Sequence, residues 1–420
     1  MTTPRGSIQP ATCPVAHHTT PVDIGDERVS LYLPEFAEDP HRAYRQMRER
    51  YGSLVPVDLA PGVPATLVIG YRTGVRILND PEHFPADPRT WQKDIPADCP
   101  VLPILEWRPS ALRTSGIEHV RYRQATTASI KEVDLHALHA TVEQIAIPLI
   151  NGFCEVGTAE LISQYAFPLV FGVMNVLMGC PPALGQQIAT TVAALLDGID
   201  TERNNKVLAE TLMALVALKR AEPGDDIATR LLQHPSRFDD IEMLHQLAIM
   251  YGAGIEPMRN LIGNTLGLML TDDRFAGDIL GGSLLTRDAL DEVLFTDPPI
   301  ANLCASYPRH PILIDNVWLP AHQPVLISTT GCNTDPSLEN SDRTGNRSHL
   351  AWSAGPHACP ARIPAYLIVQ DAIDQLLDAL PEMRLAVLPS KLSWRPGPFH
   401  RALTDLPVVF PPGVAMVVKE

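Results

Sequence analysis

The sequence predicts a mainly α-helical fold with small β-sheets (α+β). Apolar residues recur at helical spacing from Ile241 to about Thr271, which predicts one helix of about 45 Å. Residues 135–235 repeat this pattern in shorter segments separated by proline and glycine. Two short apolar runs, residues 55–59 and 65–69, flank a Pro61-Gly62 turn and predict paired strands. Helices therefore form most of the predicted core.

Length and composition limit the classes of protein. We expect a flexible tail over residues 1–30 and a single domain over 31–420, large enough to enclose a cofactor. A net charge of −15 argues against a nucleic-acid partner. The seven cysteines are scattered and never form CxxC pairs, which is typical of a reducing cytoplasm. No apolar run is long enough for a signal peptide or a membrane span, so we expect a cytoplasmic protein without a membrane partner.

The N-terminal elements follow in order. A helix is predicted from Pro40 to Tyr51, then the two strands, and then a helix from Gly70 to about Asn79. Residues 84–112 contain six prolines and no periodicity. Because a long irregular segment inside a compact domain is usually functional, we interpret it as a lid over a substrate.

A basic pair, His119 and Arg123, lies one helical turn apart. By itself, this pair is typical of a solvated helix face. Two cationic groups at this spacing are also able to bind a pair of carboxylates.

A short segment near the C-terminus, residues 349–362, dominates the functional interpretation. It places His357 and the lone Cys359 among small residues, directly before an apolar helical pattern. A helix N-terminus there favours a thiolate over a thiol. One thiolate is too few for a zinc or iron–sulfur site, but it suits haem iron. The alternative is a buried structural cysteine.

This segment resembles the haem-binding loop of the cytochrome P-450 family, whose pattern is Phe-Gly-x-Gly-x-His-x-Cys-x-Gly. Trp352 and Ser353 replace the first two residues, and Ala361 replaces the last glycine. The resemblance implies haem b (iron protoporphyrin IX) as cofactor in a haem-thiolate domain, beneath a long central helix. The residues that it implies as cofactor-binding are His119, Arg123, Arg309, Gly355, His357 and Cys359, with Cys359 as the metal ligand.

The central helix carries a second match to this family, Ala253-Gly254-Ile255-Glu256-Pro257. The family pattern is Ala/Gly-Gly-x-Asp/Glu-Thr, so Ala253, Gly254, Glu256 and Pro257 are the catalytic candidates. Proline lacks the hydroxyl of threonine and cannot donate to the carbonyl of Ala253, so a kinked or widened helix is expected at Ala253-Gly254. The alternative for Ala253-Gly254 is close helix packing.

Another departure concerns the family's Glu-x-x-Arg pair. Glu292 matches, but Phe295 replaces the arginine, and Arg343 or Arg347 is the expected substitute partner. The Arg that the family carries before the later strands falls near Ser306, so Arg309 is expected to replace it. The chain thus resembles an atypical, soluble bacterial member lacking that arginine and the central threonine.

The resemblance implies an enzyme that uses dioxygen and receives electrons from ferredoxin and ferredoxin reductase. The expected reaction is oxidative coupling (C–C, C–N or C–O) of an aromatic peptide or cyclodipeptide in secondary metabolism. One alternative is a monooxygenase that hydroxylates a small hydrophobic substrate. Another is a non-catalytic haem-binding sensor. The sequence leaves the substrate, the native redox partner and the oligomeric state open.

Overall fold

The computed structural model describes residues 28–196, 200–276, 285–338 and 346–417. The predicted flexible tail, residues 1–30, lies almost entirely outside them. Helices account for most of the described chain, which confirms the predicted fold class. The α-helices are α1 (Pro34–Glu38), α2 (Pro40–Tyr51), α3 (Tyr71–Leu78), α4 (Leu102–Leu105), α5 (Gly116–Lys131), α6 (Leu135–Asn151), α7 (Phe167–Leu177), α8 (Pro182–Leu196), α9 (Thr201–Ala221), α10 (Ile227–Gln233), α11 (Asp240–Thr271), α12 (Asp273–Ala276), α13 (Thr286–Thr296), α14 (Thr329–Asn333) and α15 (Arg362–Ala379).

The strands are short and form small sheets at the side of the helices. They are β1 (Val29–Ser30), β2 (Leu54–Asp58), β3 (Pro64–Val68), β4 (Thr158–Glu160), β5 (Cys304–Ser306), β6 (Ile312–Ile314), β7 (Val317–Leu319), β8 (Val325–Ile327), β9 (Arg384–Leu385) and β10 (Pro407–Val409). One sheet has the order β1-β2-β3-β8-β5, a second has the order β4-β10-β9, and β6 pairs with β7. In the first sheet, β2 and β3 form the predicted hairpin and β5 pairs antiparallel with β8.

The central helix α11 begins at a capping box. The side chain of Asp239 accepts a hydrogen bond from the Glu242 N–H (2.8 Å), and the Glu242 carboxylate accepts one from the Asp239 N–H (3.0 Å). Its 32 residues span about 48 Å at the α-helical rise. Helices α7, α9, α13 and α15 pack around it and bury its apolar residues. The predicted helix is therefore confirmed to within one residue at its start.

Two predicted elements differ in the structure. Residues 84–112 contain a 3₁₀ turn at Trp91–Asp94 as well as α4. Trp91 is buried against the ring of Tyr307, with centroids 5.7 Å apart, so this tryptophan serves packing. At the end of the chain, Pro396-Gly397-Pro398 and the apolar residues 408–418 predict strands and a turn. Within the described part of that segment only β10 forms, and it pairs with β4 and β9.

Candidate functional site

The loop that carries Cys359 is a tight turn directly before α15. It packs against the end of α3. Gly355 has a φ of +65°, and a Cβ built there would lie 2.1 Å from the carbonyl oxygen of Leu78. Only glycine fits this close approach. Ser353, which replaces a family glycine, also has a positive φ of 57°. The Cys359 N–H donates to the Trp352 carbonyl (2.8 Å) and closes the turn.

The thiol of Cys359 lies in a buried, cation-bearing environment. Burial is the largest influence on its pKa and raises it, whereas a hydrogen bond from the Ala361 N–H and the charge of Arg123 lower it. Burial outweighs these two effects, so the pKa of the thiol lies above its ordinary value although the N–H group at the helix end favours the thiolate as predicted. Among the described residues, no group of three or more His, Cys, Asp and Glu is placed to hold a metal ion. The lone thiol is thus the metal-ligand candidate here.

Helix α5 brings both members of the predicted basic pair to this loop. Arg123 donates a hydrogen bond to the carbonyl of Ala358, directly before the cysteine. The His119 ring lies 4.2 Å from the His357 ring, measured between centroids. Burial, followed by the charges of His119 and Arg123, lowers the pKa of His357 to about 4. The structure therefore brings four predicted site residues together around Cys359.

Arg309 is placed elsewhere. Its side chain is exposed. Its charge acts on Asp87, whose pKa is raised by burial but lowered overall by Arg89 and, more weakly, by Arg309. A different arginine, Arg113, lies buried beside this site, and its charge contributes to lowering the pKa of His357. Sequence reasoning missed Arg113 because it precedes α5 and belongs to no periodic pattern.

The middle of α11 borders open space. An added Cβ at Gly252 would meet no atom within 4 Å, and Ala253 is exposed although it lies halfway along a long buried helix. Gly254 faces the other way: an added Cβ there would lie 3.0 Å from the Met174 side chain of α7. The packing interpretation thus applies to Gly254, whereas Ala253 lines the space.

Glu256 is held in a buried ion-pair cluster. Its carboxylate lies 2.9 Å from the Arg259 guanidinium and also accepts hydrogen bonds from Arg395 and Asn260, the latter at 3.1 Å. Burial raises the pKa of Glu256, but Arg259 and Arg395 lower it below the ordinary value. All the hydrogen bonds go to Oε1, whereas Oε2 is buried close to Arg259 and accepts none. Glu256 is therefore ionised beside two cations.

Pro257 does not interrupt α11, since every residue from 240 to 271 is α-helical. The expected widening at Ala253-Gly254 is therefore wrong, and a bend stays a prediction. The missing N–H nevertheless deprives the Ala253 carbonyl of its helical donor.

The degraded Glu-x-x-Arg pair is replaced by other contacts. Phe295 is buried, with its ring centroid 5.2 Å from that of His349 at an interplanar angle of 82°. Arg347 pairs with Asp291 (2.9 Å) and not with Glu292, so its expected role is wrong. Arg343 lies outside the described residues. Glu292 lies 4.0 Å from the exposed Arg274.

Two buried polar atoms near the junction of α11 and the predicted lid have no hydrogen-bond partner among the described residues. The Gln246 side chain donates to the Pro109 carbonyl (2.7 Å), which joins the lid to α11. Beside this contact, His245 Nδ1 and Trp107 Nε1 are buried with no hydrogen-bond partner in the described chain. His245 lies seven residues before Gly252 and hence on the same helical face. Because buried polar atoms are normally hydrogen-bonded, these two nitrogens are candidates for contacts with a ligand.

The chemistry of these groups fits a porphyrin with two carboxylates. His119 is 6% exposed, and its Nε2 has no partner among the described residues. Buried polar atoms are normally hydrogen-bonded, so this one marks a missing acceptor or donor. With Arg113, Arg123 and the Cys359 thiol, the site offers cations for carboxylates and a sulfur for iron.

No protein-family model matches the chain. Curated relatives match over nearly its full length. Cytochrome P450 107B1 of Saccharopolyspora erythraea is 29% identical over 389 residues, which cover 89% of this chain and 95% of the relative. The monooxygenase PikC of Streptomyces venezuelae is 26% identical and covers 89% and 92%. The vitamin D(3) 25-hydroxylase of Pseudonocardia autotrophica is 25% identical and covers 92% and 98%.

Solved structures match as well. CYP154C4 from Streptomyces sp. ATCC 11861 superimposes with a TM-score of 0.83 at 23% identity, covering 92% of this chain and 98% of that one. The tirandamycin C-bound P450 monooxygenase TamI gives a TM-score of 0.79 at 26% identity, covering 91% and 100%. None of the described helices combines the length and hydropathy that a bilayer crossing requires.

Proposed function

The chain belongs to the cytochrome P450 family and is a haem-dependent monooxygenase, and we propose that it catalyses oxidative coupling of an aromatic peptide or cyclodipeptide. The sensor alternative is set aside, because the named relatives are monooxygenases and hydroxylases. We assign residues 31–420 to one haem-thiolate domain.

Cys359 is the proposed axial ligand of the haem iron. Gly355 allows the loop to lie against α3, and Arg123 holds the loop carbonyl next to the cysteine. His119, Arg123 and His357 are the proposed contacts of the haem carboxylates. A haem held by Cys359 would supply oxidation chemistry with dioxygen, and the cysteinate would donate the electron density that favours O–O bond cleavage.

The state of Glu256 carries the proposal of coupling. A carboxylate held by two arginines is ionised and has no proton to give. Pro257 has no hydroxyl. The acid and alcohol of the family pattern are therefore replaced here by the Glu256 carboxylate, which is paired with arginines, and by the apolar ring of Pro257. Protons for the reaction then come from water or from the substrate itself. A substrate with acidic N–H or phenolic O–H groups meets this need. It gives up two hydrogens, ferredoxin supplies two further electrons and water two further protons, dioxygen leaves as two water molecules, and a new bond forms without oxygen insertion.

Buried polar atoms without partners support a polar substrate. His245 Nδ1 and Trp107 Nε1 have no hydrogen-bond partner in the described chain, and a cyclodipeptide bound beside them offers amide groups that pair with them. A purely hydrocarbon substrate leaves both nitrogens unsatisfied, at a cost of about 1–3 kcal/mol each. Several relatives carry secondary-metabolite names, such as 6-deoxyerythronolide B hydroxylase of Saccharopolyspora erythraea.

Ferredoxin, reduced by a ferredoxin reductase, is the proposed electron donor. The elements that hold the cysteine loop present exposed apolar side chains, Ile117 and Val120 on α5 and Ile363 on α15. The exposed Arg362 adds a positive charge beside them, which suits an acidic partner despite the net charge of −15. Dioxygen is the co-substrate.

Product analysis decides between coupling and hydroxylation. The purified enzyme, supplied with a surrogate ferredoxin, a reductase and NADPH, is incubated with a panel of aromatic cyclodipeptides. Coupling is supported by products two hydrogens lighter than the substrate, or by dimers formed from two substrate molecules. Products that are only one oxygen heavier contradict it and favour the hydroxylase alternative, which the names of relatives such as vitamin D(3) 25-hydroxylase support.

A further inference from the structure

Arg113 is a buried cation without a counter-ion in the described chain. Its side chain is 3% exposed. The guanidinium donates to two backbone carbonyls only, to Ile104 through Nε (3.2 Å) and Nη2 (2.6 Å) and to Leu112 through Nη1 (3.3 Å). These three bonds leave two of its five N–H groups unused. A buried charge that lacks both an anion and water is strongly unfavourable, so an anionic ligand is the expected partner.

The surroundings of Arg113 are positive on one side and neutral on the other. On the positive side, the His119 ring lies 4.2 Å from the His357 ring, measured between centroids. Arg123 donates a hydrogen bond to the Ala358 carbonyl in the same loop. On the neutral side lies Cys304 of β5. Burial raises the pKa of this thiol, and the charge of Arg113 lowers it by a smaller amount. No described carboxylate forms an ion pair with Arg113. Arg113 thus lies among groups that suit a negatively charged ligand.

The place of Arg113 explains why β5 can lack an arginine. The family carries a cation close to this strand, and here the strand consists of Cys304, Ala305 and Ser306. Arg309, the nearest arginine in sequence, is exposed and acts on Asp87. Arg113 lies in the segment that joins α4 to α5, and it supplies a buried guanidinium from there.

We propose that Arg113 is a principal anchor of a haem carboxylate and replaces the cation that β5 lacks. The ligand class is a planar apolar ring with carboxylates at its edge, which a planar guanidinium fork pairs with directly. The proposal rests on the proposed function, because it assumes that haem binds at Cys359. Arg113 positions the cofactor and takes no part in the chemistry.

Haem retention tests the proposal without measuring turnover. Arg113→Gln removes the charge, Arg113→Lys keeps the charge but not the fork, and Arg309→Gln is the matched control. Each holoprotein is mixed with excess apomyoglobin, and haem transfer is followed at the Soret band. We expect Arg113→Gln to lose haem about tenfold to a hundredfold faster, the range for a charged hydrogen bond, and Arg113→Lys to fall between it and wild type. Arg309→Gln is expected to match wild type.

Haem dimethyl ester, which lacks free carboxylates, is used in a second experiment that tests whether the effect of Arg113 depends on those carboxylates. Reconstituted with this ester, wild type and Arg113→Gln are expected to release the ligand at the same rate. If Arg113→Gln does not fold, judged by its far-ultraviolet circular dichroism, the comparison of Arg113→Lys with wild type on haem and on the ester replaces it.

Three outcomes are separable. Equal haem loss from wild type and Arg113→Gln overturns the inference, as does an effect of the variant that persists with the ester. An effect of Arg309→Gln as large as that of Arg113→Gln also overturns it. Failure of wild type to bind haem, or a reduced carbon monoxide complex without the thiolate Soret band, overturns the proposed function instead.

Discussion

Phe295 and His349 meet edge to face, with ring centroids 5.2 Å apart. Phe295 belongs to α13, and His349 begins the loop that leads to Cys359. In the related family an ion pair locks this helix to the loop, and here an aromatic contact joins them. Burial and the charge of Arg362 lower the pKa of His349 to about 4, so its ring is neutral near pH 7.

Phe295→Ala is expected to destabilise the protein. Removing a buried aromatic ring costs about 3–5 kcal/mol, and the loop loses its contact with α13. Phe295→Leu, the control, preserves most of the volume and is expected to cost under about 1.5 kcal/mol. Chemical denaturation of both variants measures the difference. Equal stabilities of the Ala variant and wild type would show that the contact does not hold the loop.

Phe295→Arg, which restores the family residue, is expected to destabilise as well. The new charge enters a site where Arg362 and Arg347 already lower the pKa of His349, after burial. Glu292, its intended partner, is directed towards Arg274. A stabilised Phe295→Arg variant in the same denaturation experiment would refute this.

Cys359→Ala is expected to abolish the thiolate signature. The reduced carbon monoxide complex of wild type should show the red-shifted Soret band, whereas the variant should bind less haem and lack that band. Cys304→Ser is the control, because this thiol is the neighbouring one that acts on the pKa of Cys359. A visible spectrum unchanged by Cys359→Ala would contradict the assignment of the ligand.

Pro257→Thr and Pro257→Ala separate backbone effects from the hydroxyl. Both variants regain an N–H that can donate to the Ala253 carbonyl, so both are expected to be more stable by up to about 3 kcal/mol. Only the Thr variant gains the hydroxyl, so only it should increase the share of hydroxylated product. Melting temperatures and product ratios are the measurements. A product shift shared by both variants would attribute the effect to helix geometry.

Asp297→Asn tests a buried ion pair that joins the end of α13 to Arg401 (2.7 Å). Burial raises the pKa of Asp297, but His41 and Arg401 lower it overall, from 3.8 to about 2. The ionised form therefore contributes about 2 kcal/mol of stability above pH 4, which is lost as the pH falls towards 2. The free energy of unfolding should differ between wild type and variant at pH 7, and this difference should shrink between pH 4 and pH 2. A constant difference would exclude the carboxylate charge as its source.

Local patterns in the sequence were sufficient for the elements and for most of the cysteine site. The helix α11 was predictable because its apolar spacing and its Asp239 cap depend only on residues that are close together in sequence. Gly355, His357 and Cys359 were predictable for the same reason, since one loop holds them all.

Contacts between distant segments were not predictable in this way. Arg113 and Cys304 are almost two hundred residues apart, and only the folded chain brings them close enough for each to influence the pKa of the other. Arg309 was chosen by its position in sequence, and its exposure follows from a turn beyond β5 that sequence spacing does not show. Arg347 reaches Asp291 because one step along a helix changes the direction of a side chain by about 100°.

The contact between Gly355 and Leu78 couples two parts of the chain that mutagenesis would otherwise treat as independent. Any larger residue at position 355 must displace either the backbone at the end of α3 or the sulfur-bearing turn. Libraries that randomise this loop to tune redox potential should therefore keep position 355 constant. Substitutions in α3 and in the turn are best combined in one library, since a shift of either backbone requires a shift of the other.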